Sequence, residues 1–212
     1  MTSEGAGVAT IYDLKPRFQA LLRPLSDALV RARMRANDVT LGALLLSAAH
    51  GAWLALMPSS RWPLLLLPVT LFLRMAMNAI DGMMAKEHGQ ASPAGAVLNE
   101  LSDVLADAAL YLPFALIPGL NAALVVLVVV MGVIVEMAGA LGPMIGAARR
   151  YDGPLGKSDR AFGFGVLAVL LGIGIAPGLW STLYLAALLL LSALTVLNRA
   201  RSIIAEGRER GA

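Results

Sequence analysis

Apolar residues run through this chain in long blocks separated by short polar turns. The blocks fall roughly at residues 39–58, 62–85, 95–117, 121–145, 161–176 and 178–197. A helix of ~20 apolar residues crosses a ~30 Å hydrocarbon layer, so the pattern predicts an all-α integral membrane protein with six transmembrane helices. The fifth block is short and is interrupted by Gly172 and Gly174. Ahead of the blocks, Tyr12, Leu14, Phe18, Leu21, Leu22, Leu25 and Leu29 interleave with Lys and Arg between Ile11 and Arg35. That mixed periodicity predicts an N-terminal amphipathic helix in the membrane interface; a plain basic flank explains the same residues equally well. Residues 1–10 are small and polar and are expected to be disordered. The expected organisation is a cytoplasmic N-terminal segment at 1–37, a six-helix transmembrane domain at 38–198 and a cytoplasmic basic tail at 199–212, with no internal repeat or second domain.

Composition agrees: 58% of residues are hydrophobic, 15% are charged and the mean hydropathy is +0.74, more apolar surface than a soluble core of this length would hide. The charges set the topology. Lys15, Arg17, Arg23, Arg31, Arg33 and Arg35 precede the first block, Lys86 follows the second, Arg149, Arg150, Lys157 and Arg160 lie between the fourth and fifth, and Arg199, Arg201, Arg208 and Arg210 close the chain. The opposite turns carry only Arg61. By the positive-inside rule both termini and the basic turns face the cytoplasm, as in a bacterial-type inner membrane. Because topology accounts for the net charge of +3, and no aromatic residues are interleaved as stacking platforms, nucleic acid is excluded as a partner. Cysteine is absent, which removes disulfides and thiolate metal sites. The first thirty residues lack the apolar core of a signal peptide, so the first block is expected to act as the insertion signal.

Ionisable residues inside spanning helices are costly, and so point to function. Asn78, Asp81, Gly82 and Ala85 share one face of the second block, with Lys86 after them. Asn99, Asp103 and Asp107 stack at four-residue intervals along the third, Glu100 on their flank. Carboxylate and amide oxygens suit a hard divalent cation such as magnesium, calcium or manganese. Deeper in, Arg74, Asp107 and Glu136 each lie eleven or twelve residues from a cytoplasmic end, ~17 Å by helical rise, which suggests a buried cluster with Arg74 shared by the two acids. Gly132, Ala138, Gly139 and Gly142 permit close helix packing, either as a dimer seam or as an internal contact.

The stretch from Asn78 to Asp103 resembles the signature of the CDP-alcohol phosphatidyltransferases: Asp, two residues, Asp-Gly, two residues, Ala-Arg, about eight residues, Gly, three residues, Asp, three residues, Asp. The spacing matches without a gap. Asp81, Gly82, Ala85, Gly95 and Asp103 match in identity, Lys86 stands for Arg, and Asn78 and Asn99 stand for two of the four aspartates. A shift by one turn, pairing Asp103 with Asp107, would need a four-residue insertion. Asn37 to Thr40, Gln90 with Ser92, and Gly156-Lys157 also look familiar.

The resemblance implies a six-helix, usually dimeric membrane fold in which an alcohol displaces CMP from a CDP-linked lipid. It implies that Asn78, Asp81, Asn99 and Asp103 hold a divalent metal, magnesium or manganese, and that Asp103 is the general base. Asn37, Thr40, Gly82, Ala85, Lys86, Ser92 and Gly95 would face the CDP group, with Glu100 and Asp107 as acids that compensate for the missing carboxylates. The basic turn, Arg149, Arg150, Lys157 and Arg160, would bind a phosphate on the acceptor, favouring glycerol phosphate or inositol phosphate over serine. The expected partners are therefore CDP-diacylglycerol, a polar alcohol, membrane lipids and a second copy of the chain. Two other readings stand beside the transferase: a descendant that binds CDP-lipid or metal without turnover, and, last in rank, a divalent-cation transporter. The outer halves of the blocks are nearly all apolar, which disfavours a transport path.

Overall fold

The structure is a computed structural model that describes residues 11–211. Residues 1–10, expected to be disordered, lie outside the described residues, as do the side chains of Tyr12, Leu14 and Lys15. The described residues are all-helical: α1 (Ile11–Arg31), α2 (Ala36–Leu56), α3 (Arg61–Glu87), α4 (Pro93–Tyr111), α5 (Ala122–Ala140), α6 (Lys157–Gly172) and α7 (Leu179–Gly211), with 3-10 turns at Leu112–Leu116 and Gly142–Ile145. Each apolar block overlaps one α-helix, and the blocks at 95–117 and 121–145 run on into the 3-10 turns. Four of these segments, Ala36–Leu56, Arg61–Glu87, Ala122–Ile145 and Leu179–Glu209, are long and apolar enough to cross a membrane. By that measure α4 and α6 fall short, α6 because it has 16 residues and α4 because Glu100, Asp103 and Asp107 interrupt its apolar run. The block read as 178–197 continues as one helix through the basic tail to Gly211.

Helix ends follow local chemistry. At the start of α2 the Asp38 carboxylate accepts the Arg35 N–H at 2.8 Å, and at the start of α6 Asp159 accepts the Gly156 N–H at 2.9 Å. In each case an acid in the first turn satisfies an amide that the helix cannot. Asn121 caps α5 by accepting the Leu124 N–H at 3.1 Å. Pro113 and Pro143 sit where α4 and α5 pass into 3-10 turns, since proline cannot donate to the helical ladder.

The chain divides into two compact units. The first holds residues 11–43 and 73–100. In it, Leu22, Leu29 and Val30 of α1 pack with Val39 of α2 and Ile80 and Met84 of α3, while Leu21 is left 75% exposed. The Gln90 side chain accepts the Ala36 N–H at 2.7 Å, and Arg23 grips Glu87 through two bonds of 3.1 and 3.0 Å.

The second unit holds residues 44–72 and 101–211 around one apolar core. Leu54, Leu67, Leu110, Phe114, Val128, Phe164, Leu167 and Leu185 are all fully buried in it. Tyr111 stacks on Phe164 with ring centroids 4.2 Å apart. A Cβ on Gly51 would run into the Ala109 carbonyl, so that glycine permits backbone contact between α2 and α4. His50 donates from Nε2 to the Pro63 carbonyl at 2.9 Å, which leaves Nδ1 to accept from Thr70 at 2.8 Å.

Candidate functional site

In the first unit the signature residues of α3 lie on one face, as their spacing of three and four requires. Asp81 is only 6% exposed and accepts a hydrogen bond of 2.7 Å from Thr40, near the start of α2. A buried carboxylate is tolerable only with such donors. One residue on, Gly82 meets open space: among the described residues, no atom beyond its own stretch of α3 lies within 4 Å of where its Cβ would stand. Gly95, at the start of α4, is the opposite case. A Cβ there would stand 2.8 Å from Asn37 Oδ1 and 3.0 Å from Ser92 Oγ, and Ser92 also accepts the Gly95 N–H at 3.0 Å. The unit thus brings Asn37, Ser92 and Gly95 together, and Thr40 to Asp81. Ala85 packs against the Ile80 and Met84 cluster, and Lys86 is exposed at the end of α3. Asn78, Asn99 and Glu100 are partly buried.

In the second unit Asp103 forms an ion pair with Lys157, the first residue of α6. One turn along α4, Asp107 accepts from Arg160 Nη2 at 3.1 Å, and the same nitrogen donates to Glu136 at 2.9 Å. The two acids share Arg160, a cation that the expected cluster did not include; Arg74 is itself buried. Gly132 makes room for Arg160: a Cβ there would stand 3.0 Å from its Nε, so α5 leaves a channel for that guanidinium. Arg199 and Arg149 approach Glu136 Oε2 at 3.8 and 3.9 Å. A cleft beside this cluster is lined by Val104, Tyr111, Val129 and Val133.

The basic turn expected to receive an acceptor phosphate is differentiated. Arg160 is 2% exposed and held by two acids, and Arg150 donates to Glu206 at 2.7 Å. Their charges are matched by the protein's own carboxylates. Arg149, Arg150 and Lys157 all remain partly exposed; Arg149 stacks over the Tyr151 ring at 4.8 Å, and Lys157 pairs with Asp103. The small residues of α5 serve internal contacts here. Gly139 accepts the Arg150 N–H at 3.1 Å through its carbonyl, and a Cβ there would collide with the Arg150 carbonyl.

Sequence reasoning missed the role of α7. Thr195, Arg199, Ser202 and Glu206 form a polar stripe at helical spacing, and all four hold the turn between α5 and α6. Arg199, 2% exposed, donates to the carbonyls of Val135, Tyr151 and Asp152. The signal was a run of polar residues three and four apart in an apolar helix, hidden because three of them, Arg199, Ser202 and Glu206, fell in what read as a basic tail.

Among the described residues no group of three or more His, Cys, Asp or Glu side chains is placed to hold a metal ion. The signature itself supplies two carboxylates, Asp81 and Asp103, and two amides, Asn78 and Asn99. That donor set is all oxygen and fits a hard cation, with less negative charge than four aspartates would give.

No family model matches the chain. The fold is that of phosphatidylinositol phosphate synthase from Mycobacterium tuberculosis. The structure of that enzyme with CDP-DAG bound superposes with a TM-score of 0.72 at 19% identity, covering 85% of this chain and 92% of that one. Its complex with manganese and citrate gives the same TM-score and identity over 85% and 87%. Among curated proteins, the inner membrane protein YnbA of Escherichia coli is 43% identical over 195 residues, 92% of this chain and 96% of the relative. At that identity over nearly the full length of both proteins, the chain belongs to the YnbA family.

Proposed function

We propose that the chain is an integral membrane CDP-alcohol phosphatidyltransferase of phospholipid synthesis, moving a phosphatidyl group from CDP-diacylglycerol to a polar alcohol and releasing CMP. One observation carries the reading: an ungapped signature from Asn78 to Asp103 lies on consecutive helices of a chain whose fold is shared with a phosphatidylinositol phosphate synthase solved with CDP-DAG and with manganese. In this reading the alcohol oxygen attacks the phosphorus that bears the diacylglycerol, the bond from that phosphorus to CMP breaks, and Asp103 takes the alcohol's proton. Asn78, Asp81, Asn99 and Asp103 would hold magnesium or manganese, which when bound would stabilise charge on the pyrophosphate. Asn37, Thr40, Gly82, Ala85, Lys86, Ser92 and Gly95 face the CDP group, the open space at Gly82 supporting close approach of a ligand to α3. Glu100 lies beside the signature stripe as a compensating acid.

Arg149 and Lys157 receive the acceptor, and their charge favours a phosphorylated alcohol such as glycerol phosphate or inositol phosphate. The wider setting follows the same reading: six spanning helices in a bacterial inner membrane, α1 in the interface with its exposed Leu21 and Leu25 toward lipid, both termini cytoplasmic, and a homodimer. The test is to incubate purified protein with labelled CDP-diacylglycerol, magnesium or manganese, and glycerol 3-phosphate, inositol 1-phosphate or serine. CMP should appear with a phosphorylated acceptor and vanish in Asp103→Ala. The two asparagines favour one other reading, a family member that binds CDP-lipid or metal without turnover; binding without CMP release from any acceptor would select it.

A further inference from the structure

The eleven residues between the second 3-10 turn and α6, 146–156, have no helix or strand of their own. Left alone, such a segment would sample many conformations, since ordering each residue costs free energy. Beside backbone bonds from Ala147 to Gly142 and from Arg150 to Gly139, it is tied by side chains on one stripe of α7. Glu206 uses both carboxylate oxygens, one accepting the Ala148 N–H at 3.1 Å and the other accepting from Arg150 Nη2 at 2.7 Å. Eleven residues earlier on α7, the Thr195 hydroxyl accepts the Leu155 N–H at 2.9 Å while donating to the Leu191 carbonyl at 2.9 Å. The two ties bracket the segment, one beside Arg149 and the other two residues before Lys157. Lys157 in turn reaches Asp103.

We infer that Glu206 and Thr195 are positioning residues for the acceptor: together they fix the segment that presents Arg149 and Lys157 beside Asp103, and Arg150 serves the tie to Glu206 rather than the acceptor phosphate. The inference rests on the transferase reading above. A side chain displaced by an ångström can cost catalysis heavily, and the cost should fall on the substrate that the displaced cations bind.

The experiment uses full-length protein in lipid nanodiscs, with glycerol 3-phosphate and inositol 1-phosphate as acceptor probes and amide hydrogen exchange followed over residues 147–155. Glu206→Ala should raise the acceptor KM about tenfold while the KM for CDP-diacylglycerol and kcat stay within about twofold. Exchange in the segment should quicken. Arg150→Gln should match it, and the double variant should be no worse than either single one, because both remove the same tie. Thr195→Val keeps the shape of the side chain, loses only the hydroxyl, and should shift the same acceptor KM; it decides the matter if Glu206→Ala does not fold. An unchanged acceptor KM, equal shifts for both substrates, or unaltered exchange would overturn the inference while the wild type still releases CMP. A wild type that releases no CMP from any acceptor overturns the transferase reading and the positioning role with it, and exchange still reports separately whether the tie exists.

Discussion

Asp81 and Asp103 are both signature carboxylates, yet their surroundings differ. Asp81 is buried and fastened to Thr40, whereas Asp103 is partly exposed and faces the ammonium of Lys157. In the proposed reaction Asp103→Asn keeps the shape but cannot take a proton, so CMP release should fall ~100-fold or more with binding of CDP-diacylglycerol retained; both are read in one filter assay. Asn78 and Asn99 carry no charge where the resembling family has aspartate. Restoring both, as Asn78→Asp with Asn99→Asp, should tighten the manganese dependence of CMP release by about tenfold, since each added carboxylate strengthens a hard-cation site. A titration of activity against manganese checks it, and weaker dependence would count against these four residues as ligands.

Glycines decide how closely the helices approach, and their neighbours separate packing from ligand access. At Gly139 and Gly51 a methyl group would meet backbone carbonyls, which cannot swing aside; at Gly82 it would meet none of the other described elements. Alanine in a helix is otherwise better than glycine by about 1 kcal/mol. Gly139→Ala and Gly51→Ala should therefore lower the unfolding temperature in detergent by several degrees, whereas Gly82→Ala should hold or raise it. Gly82→Ala should nevertheless bind CDP-diacylglycerol more weakly if that open face receives the nucleotide. The periodicity that revealed these helices says which residues share a face, but not what stands opposite. Hence Gly132, Gly139 and Gly142 read equally well as a dimer seam, and only their neighbours Arg160, Arg150 and Ala148 show that they serve internal contacts.

Within the second unit, Glu136 is the point on which α4, α5, α6 and α7 converge electrostatically, with Arg160, Arg149 and Arg199 all within 4 Å. Removing one partner of a buried ion pair costs roughly 3–5 kcal/mol because the other charge is stranded. Glu136→Gln removes a carboxylate that three guanidinium groups approach, so it should lower the thermal stability of the purified protein more than Asp107→Asn, after which Arg160 still holds Glu136. Equal losses would mean that the cluster is not centred on Glu136. The membrane class, the helix positions and the spacing of the signature were all legible in the linear order of residues, because hydropathy and the 3.6-residue turn act locally along the chain. Which charges meet was not. Arg160 sits 53 residues from Asp107 and 24 from Glu136, and Glu206 sits 56 from Arg150. Pairing across such separations depends on which helices become neighbours and on where a missing Cβ leaves room, and both are settled by packing in three dimensions. The sequence could therefore announce four cations in one basic turn, while only the folded chain decided that Arg150 meets Glu206, Lys157 meets Asp103 and Arg160 meets Asp107 and Glu136.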